Sequence, residues 1–401
     1  MDVSPAVPAS RADAAAQVVR NAVPGPAVMF VIYGLAPAGP ERRLLEFARA
    51  FPDGPTPLDV HICVVGDDLT LLDEFRKTRA HVIHVPMRRA YSEWRGVRKI
   101  LGYIDEHDVR VVNSFNLKTL LVCVAAKLRF RSRVKHVHHL ISLWEDVPAY
   151  HRPILWSAMR AADHVLCNGN AVRAHLIGSS PLASPVSVIP NGVDCRHYHP
   201  MPQRRAAERA RLGFADEHVV LGTVGNVRPV KNYPFLLRVM ARLATTVPNA
   251  RLLCVGGGSQ LEEMKELAGA LGIGDRVVFT GVAKDIRPFV AAMDVFALCS
   301  RQEGNPNAVL QAMAMALPVV SVRVGEVPFV IEDGRSGVVV TPGDEQAFLS
   351  AVAELALDPK RRRVVGDAAR RRVSERYSAT QMIASYAVLM RGLTDRNRGV
   401  L

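Results

Sequence analysis

Four short segments in the second half of this sequence place glycine and a polar or charged side chain directly after an apolar run. In the first, Gly225, Asn226, Arg228, Lys231 and Asn232 follow the run Val219 to Val224. A glycine loop between strand and helix lets backbone amides approach an anion. The helix start adds partial positive charge, and Arg228 and Lys231 add full charges. Taken alone, a basic loop is more often solvated surface. The second is Gly256, Gly257 and Gly258 after Arg251 to Val255, which suits close ligand approach or an ordinary tight turn equally well. The third is Thr280, Gly281 and Val282 at the end of another apolar run, where backbone groups could meet a planar base. The fourth carries most. Glu303, Gly304, Asn305 and Asn307 follow the run Val295 to Leu298, and a helical pattern begins near Asn307. The Glu303 carboxylate can accept hydrogen bonds from sugar hydroxyls while neighbouring amides face a phosphate. Gln311, one turn beyond Asn307, is read as pointing toward the same cleft. An acid that merely complements a helix dipole is the bland alternative. The succession of four such segments argues against it.

Loops of this kind need strands to carry them. Apolar runs alternate with amphipathic segments along the chain, the pattern of βαβ units and a parallel sheet. Strands are expected at 27–33, 59–65, 81–85, 109–113, 134–138, 164–167 and 186–189. After Ile189, Pro190, Asn191, Gly192, Val193 and Asp194 comes a polar stretch with Pro200 and Pro202, which reads as a boundary. The pattern then restarts, with strands expected at 219–224, 251–255, 277–280, 295–298, 318–322 and 337–340. The fold class is α/β, with two Rossmann-like doubly wound domains facing each other across a cleft and ligands at the carboxyl ends of strands. Residues 1–26 read as a flexible extension, 27–198 as the first domain, 199–378 as the second, and 379–401 as a helix and tail that could pack on either.

At 401 residues two domains are the natural expectation, and 49% hydrophobic with 22% charged residues excludes a disordered chain. No apolar run approaches the roughly 20 residues of a membrane span, and the first 26 residues lack the apolar stretch of a signal peptide. The six cysteines are scattered without a Cys-x-x-Cys pair and read as buried free thiols, which suits a reducing, cytoplasmic setting. A formal charge of +13 points to an anionic partner without choosing it.

Taken together, the residues from about Ala27 to Tyr386 resemble glycosyltransferase family 4, retaining enzymes of the two-domain GT-B architecture. The segment Ile189 to Asp194 is similar to that family's interdomain signature. Gly225 to Asn232 is similar to its diphosphate loop, and the Glu303 segment to its donor-sugar loop. Asp333 to Gly337, through Pro342 to Asp344, is similar to its usual continuation. The resemblance implies that Glu303 contacts donor-sugar hydroxyls, helped by amides of Gly304, Asn305 and Asn307, and that Lys231 neutralises the donor diphosphate. The base would lie near Val282, with Gly256 and Gly258 also lining the donor site. Gly39, opening a helix after the first strand, occupies the place of the family's glycine-rich loop. In the run Lys135 to His139, His138 is chosen over His139 as the histidine that reaches the sugar, because it is expected at the strand's end. Three positions depart from the pattern. Gln311 replaces a second acid, with an amide that can still bond ribose hydroxyls. Asn226 replaces an arginine that Arg228 would have to supply, and Gly39 is flanked by Ala38 and Pro40 rather than a second glycine.

The implied activity is retaining transfer of a sugar from a nucleotide-sugar to a saccharide or lipid-linked acceptor, in polysaccharide or glycolipid assembly. UDP is favoured by analogy only, and no metal or other cofactor is implied. Attack by the acceptor hydroxyl on the front side, without a glycosyl-enzyme, is expected. Another enzyme of the same architecture, such as an epimerase or an inverting transferase, remains open, as does a weakened sugar-binding subunit. Nucleic acid is disfavoured, for want of a recognition helix, stacking aromatics or a zinc pattern. Tyr91, Trp94, Val97, Leu101 and Ile104 form an apolar stripe beside Arg88, Arg89, Arg95, Arg98 and Lys99. Such a helix faces either the core or the inner face of an anionic membrane. Lys127 to Lys135 adds a second basic cluster, whereas Lys360 to Arg363 and Arg370 to Arg372 read as exposed helix surface.

Overall fold

The computed structural model describes residues 25–36, 39–53, 58–87, 94–140, 151–179 and 184–395. Residues 1–24 of the N-terminal extension, Ala38, Arg88, Arg89 and Tyr91 therefore lie outside the described residues. Among the described residues, thirteen strands form two wholly parallel sheets. The first has seven strands in the order β3-β2-β1-β4-β5-β6-β7. They are β1 (Ala27–Ile32), β2 (Asp59–Val64), β3 (His81–His84), β4 (Val111–Ser114), β5 (Lys135–Leu140), β6 (His164–Cys167) and β7 (Val186–Val188). The second has six, in the order β10-β9-β8-β11-β12-β13. These are β8 (Val219–Val224), β9 (Ala250–Val255), β10 (Val277–Phe279), β11 (Val295–Leu298), β12 (Val319–Val322) and β13 (Val338–Val340). Every expected strand is present, because buried parallel strands need continuous apolar runs and little else in the chain supplies them.

The order of each sheet reverses once. In the first sheet it does so between β1 and β4, and in the second between β8 and β11, which pair directly through Val295 with Leu221. At such a switch point the loops after the two neighbouring strands diverge to opposite faces and leave a crevice. The loop beginning at Gly225 and the loop carrying Glu303 leave β8 and β11, so topology makes them neighbours.

The closing helix, Ala379–Asp395, packs on the first domain. Its Met382, Ile383, Tyr386, Ala387 and Met390 are buried among Phe30, Phe47 and Phe115. Val193 and Tyr198, placed by sequence in the first domain, pack with the second domain's core beside Phe296 and Leu310. The outward crossing therefore falls a few residues before position 198. The return crossing lies beside it, with Val193 bridged to Ser378.

Much of the positive charge is internal clamping. Arg362 donates to the carbonyls of Leu355 and Ala356 at the end of the Glu345–Leu357 helix. Arg370 donates to Ala314 O at the end of the Asn307–Ala314 helix. Arg372 donates to Val330 O and Phe329 O. These arginines satisfy carbonyls that the last turn of a helix leaves free, which corrects the reading of both runs as mere exposed surface. Arg209, buried, holds Asp294 and the carbonyls of Ala292 and His218. All six cysteines are free, five of them buried.

Candidate active site

Lys231 ends a short 3-10 turn, Pro229–Lys231, and Asn232 then takes a left-handed conformation (φ 55°) before the Tyr233–Thr246 helix begins. Tyr233 donates from its hydroxyl to Gly225 O at 2.8 Å, closing the loop on itself. Arg301 N donates to Val230 O at 2.8 Å, which stitches this loop to the one after β11. The result brings Lys231 Nζ to 2.6 Å from Glu303 Oε1. Ser300 Oγ donates to the same oxygen at 2.7 Å, so neither contact uses Oε2. Their side chains are 26% and 11% exposed respectively, so the pair is shielded yet reachable from the crevice.

The glycine segments assemble around this pair. Val227 N donates to Gly257 O at 2.9 Å, and Gly256 N to Gly281 O at 3.0 Å. A methyl group added at Gly256 would meet Gly225 O at 2.1 Å, so only glycine allows the two loops to lie backbone against backbone. Gly258 and Val282 are exposed at the rim, Val282 strongly so at 75%. Asn226 and Arg228 are exposed on the same loop as Lys231. Four segments well separated in the chain thus share one edge of one sheet.

Across this edge the first domain is closed onto the loop that carries Glu303. Asn305 Nδ2 donates to Asn168 O at 2.7 Å, and Asn191 Nδ2 donates to Asn307 Oδ1 at 2.6 Å. Glu326, 1% exposed, accepts from Asn170 Nδ2 at 3.0 Å and from Ala171 N at 2.9 Å. Gly39 opens the Gly39–Ala50 helix of the first domain. That helix brings Arg42, Arg43 and Glu46 against Gly192, Asn307 and Gln311 around a cavity of about 10 Å³, room for a single water.

Two expected sugar-site residues are placed elsewhere. Gln311 is turned into the interdomain seam, 7% exposed, and donates from Nε2 to the Tyr198 hydroxyl at 3.1 Å. The cavity it borders has room for a single water and is too small for a ribose. His138 does not end its strand, since β5 continues to Leu140. It is 1% exposed, with Nδ1 2.9 Å from Ser114 Oγ, a hydroxyl that also meets His136 Nε2 at 2.8 Å. Burial pushes its pKa down to about 4, so the ring is neutral and enclosed. His139 faces the other side of the sheet. Its Nε2 lies 2.9 Å from Asn113 Oδ1, and the ring stacks on Tyr386. Strand alternation sends these histidines into two cores. Residues 141–150, which follow, lie outside the described residues.

Sequence reasoning also missed Glu46, Tyr198, Gly325 and Glu326. Glu46 is buried in the seam, and desolvation raises its pKa to about 7. Nearby Arg49 draws it down, and the Asp194 charge pushes it up. None of these residues belongs to a glycine-rich loop; Glu46 and Glu326 take a part only where the two domains meet, and Gly325 lies under Glu303 within the second domain.

Two parallel-sheet domains, closed across strand-end loops that pair a lysine with a carboxylate, define a glycosyltransferase of GT-B architecture. Two family descriptions match the chain: Glycosyltransferase Family 4 over residues 37–197 and Glycosyl transferases group 1 over residues 218–358. A GDP-mannose-dependent alpha-(1-6)-phosphatidylinositol monomannoside mannosyltransferase of Mycolicibacterium smegmatis is 32% identical over 278 residues, 67% of this chain and 72% of that protein. A D-inositol 3-phosphate glycosyltransferase of Saccharomonospora viridis is 36% identical over 196 residues, 46% of this chain and 45% of that one. Among solved structures, Anabaena HepE in complex with UDP and glucose superposes with a TM-score of 0.80 at 22% identity, covering 91% of this chain and 99% of HepE. The chain belongs to glycosyltransferase family 4, and it is a glycosyltransferase.

Proposed function

We propose that the enzyme transfers a hexose, with retention of configuration, from a nucleoside diphosphate sugar to a saccharide or lipid-linked saccharide during polysaccharide or glycolipid assembly. The observation that carries this reading is the contact of Lys231 with Glu303 at the switch point. Departure of a nucleoside diphosphate leaves negative charge. Lys231, with Arg228 on the same loop and the amides at the start of the Asn307–Ala314 helix, supplies the compensating positive field without a metal. Glu303 Oε2 is left to accept from a sugar hydroxyl. The domains meeting over the loop exclude water and so limit donor hydrolysis. The acceptor hydroxyl attacks on the face the diphosphate leaves, with no covalent sugar adduct. Retention itself rests on family membership.

For the base, the analogy to UDP has a structural neighbour bound to UDP, at an identity that speaks only for fold. Two relatives that align over two thirds or more of this chain, at 32% and 30% identity, carry GDP-mannose in their names. We therefore place GDP-mannose first and UDP-glucose second. A thermal-shift screen of both, followed by nucleoside diphosphate release with and without EDTA, tests the reading. Binding of neither, or activity abolished by EDTA and restored by a divalent ion, overturns the corresponding part. An adduct trapped by mass spectrometry overturns the single-step route.

Peripheral membrane contact belongs to the same proposal. Trp94 is 76% exposed at the start of the Trp94–Glu106 helix, with Arg95, Arg98 and Lys99 exposed beside it. Ile100 and Ile104 are buried in the core, so only the first turn is offered to lipid. In the second basic cluster, Lys127 pairs with Asp163 and Arg133 with Asp105. Among the described residues, no helix is long and apolar enough to cross a membrane. Flotation with liposomes containing anionic lipid, lost in W94A, is the expected result. Equal flotation of W94A, or none at low salt, counts against it.

A further inference from the structure

Glu326 lies just after β12 and links the donor loop to the first domain. Its amide donates to Gly304 O at 3.1 Å, so its backbone holds the residue next to Glu303. The preceding Gly325 (φ 48°) lies so close under the loop that an added methyl group would fall 1.8 Å from Glu303 O. This contact makes residues 325 and 326 the floor on which Glu303 rests. The side chain points the other way. Both carboxylate oxygens are taken by the start of the Asn170–Ser179 helix, Oε1 by Asn170 Nδ2 and Oε2 by Ala171 N.

Gly169 caps the start of that helix, its carbonyl accepting from Arg173 N, which makes Ala171 the second residue inside it. An amide in the first turn has no acceptor within its own helix. Here the acceptor is a carboxylate from the other domain, where it also complements the helix dipole. The fit is tight on the first-domain side as well. A methyl group added at Gly169 would meet Glu326 Oε2 at 2.5 Å. One residue therefore has its backbone on the donor loop and its side chain on the acceptor domain, with no intervening side chain to absorb a shift.

We infer that Glu326 is a positioning residue that sets Glu303 for transfer when the two domains close, by locking the Glu303–Gly304 backbone to the start of the Asn170–Ser179 helix. This rests on the reading of Glu303 given above. When the domains part, the carboxylate loses both partners and the floor under Glu303 loses its anchor. Closure and the setting of the sugar-binding acid are then one event.

The test uses the full-length enzyme and four variants, E326A, E326Q, G169A and the double variant G169A/E326A. Amide hydrogen exchange at Ala171 needs no donor and reports the carboxylate contact alone. Protection is expected in the wild type and in E326Q, whose amide oxygen still accepts, and is expected to be lost in E326A and G169A. Turnover is read as nucleoside diphosphate release from GDP-mannose and UDP-glucose. E326A and G169A are each expected to lower kcat by roughly tenfold to a hundredfold, with a smaller change in KM, as misplacement of a reacting group does. The double variant is expected to be no worse than E326A, because G169A acts only by displacing that carboxylate. E326Q should recover most of the turnover. Free exchange at Ala171 in the wild type overturns the inference. So do additive losses in the double variant, or a kcat that stays unchanged while exchange rises. E303Q, run alongside, separates the two readings. If it remains fully active while Ala171 is protected, the role given to Glu303 fails and the clasp stands.

Discussion

Lys231 and Glu303 stand 2.6 Å apart although 72 residues separate them in the chain. The ion pair exists because β8 and β11 are neighbours in the second sheet and each ends in the loop that carries one partner. Each side chain holds the other in place before any substrate arrives, so little reorganisation remains at the moment of transfer. Substituting either should therefore cost far more in turnover than in folding. K231A and E303Q are expected to lower kcat/KM by roughly a hundredfold or more, the scale of a lost electrostatic contact at a reacting centre. Midpoints of thermal unfolding should stay within a few degrees, since a partly exposed pair contributes little to stability. Turnover near the wild-type level in K231A would remove the lysine from the leaving-group site.

Glu46 gives the seam a pH dependence of known sign. Its pKa rises from 4.5 to about 7 on folding, so the folded state holds a proton that the unfolded chain gives up. The stabilisation is fully present below about 4.5 and is lost as pH rises through about 7. E46Q keeps an oxygen to accept bonds and cannot ionise. At pH 8 it should melt a few degrees above the wild type, as a gain of about 1–2 kcal/mol implies, and at pH 4.5 the difference should vanish. Thermal melts across that range check it.

His138 should behave in the opposite way. Its pKa falls from 6.5 to about 4 on folding, so its contribution is fully present above about 6.5 and is lost as pH falls through about 4. The ring touches Ser114 inside the sheet. H138A is expected to cost about 2–4 kcal/mol of stability through the cavity it leaves and the lost bond to Ser114. The remaining folded enzyme should keep its kcat. Denaturant melts and turnover per folded molecule measure the two separately, and a large loss of kcat in folded H138A would restore it to the site.

The interdomain hydroxyl of Tyr198 accepts from Gln311 in a fully enclosed setting. Y198F should strand the Gln311 amide at a cost of about 1–3 kcal/mol. Q311E would place a second carboxylate on the cavity that already holds Glu46, so it is expected to weaken the closed seam rather than improve donor binding. Calorimetric affinity for GDP and UDP, compared between Q311E and the wild type, decides whether position 311 ever reaches a ribose.

Removing the last helix should unfold the first domain rather than the second. Tyr386 receives a bond from buried Arg43 Nη2 at 2.7 Å and packs on Phe30 and Phe47. A chain ending at Ser378 would lose Met382, Ile383 and Met390 with it, uncover the first-domain core around Phe30, Phe47 and Phe115, and leave a buried guanidinium short of a partner. Limited proteolysis should then cut within residues 25–190 first.

Residue types alone were enough for the strands, the two-domain plan and the strand-end loops that bring Lys231 to Glu303. Apolar runs long enough for buried parallel strands are scarce, and Gly225, Gly256, Gly281 and Glu303 each lie within a few residues of the end of one. Once the strands were found, their carboxyl ends were found too. The closing helix was legible as a helix but not as part of the first domain, because its apolar face fits either core by composition. Misplacement of His138 and Gln311 has a different cause. A residue's side of a strand or helix depends on register and on what packs there. Two residues of strand beyond His138, and the arrival of the Gly39–Ala50 helix opposite Gln311, turned both inward. Glu46 and Glu326 carry no local signal at all. Their burial, the raised pKa of Glu46 and the two-sided grip of Glu326 arise only where one domain meets the other, and contacts across such a seam are set by the closed tertiary structure rather than by any short stretch of chain.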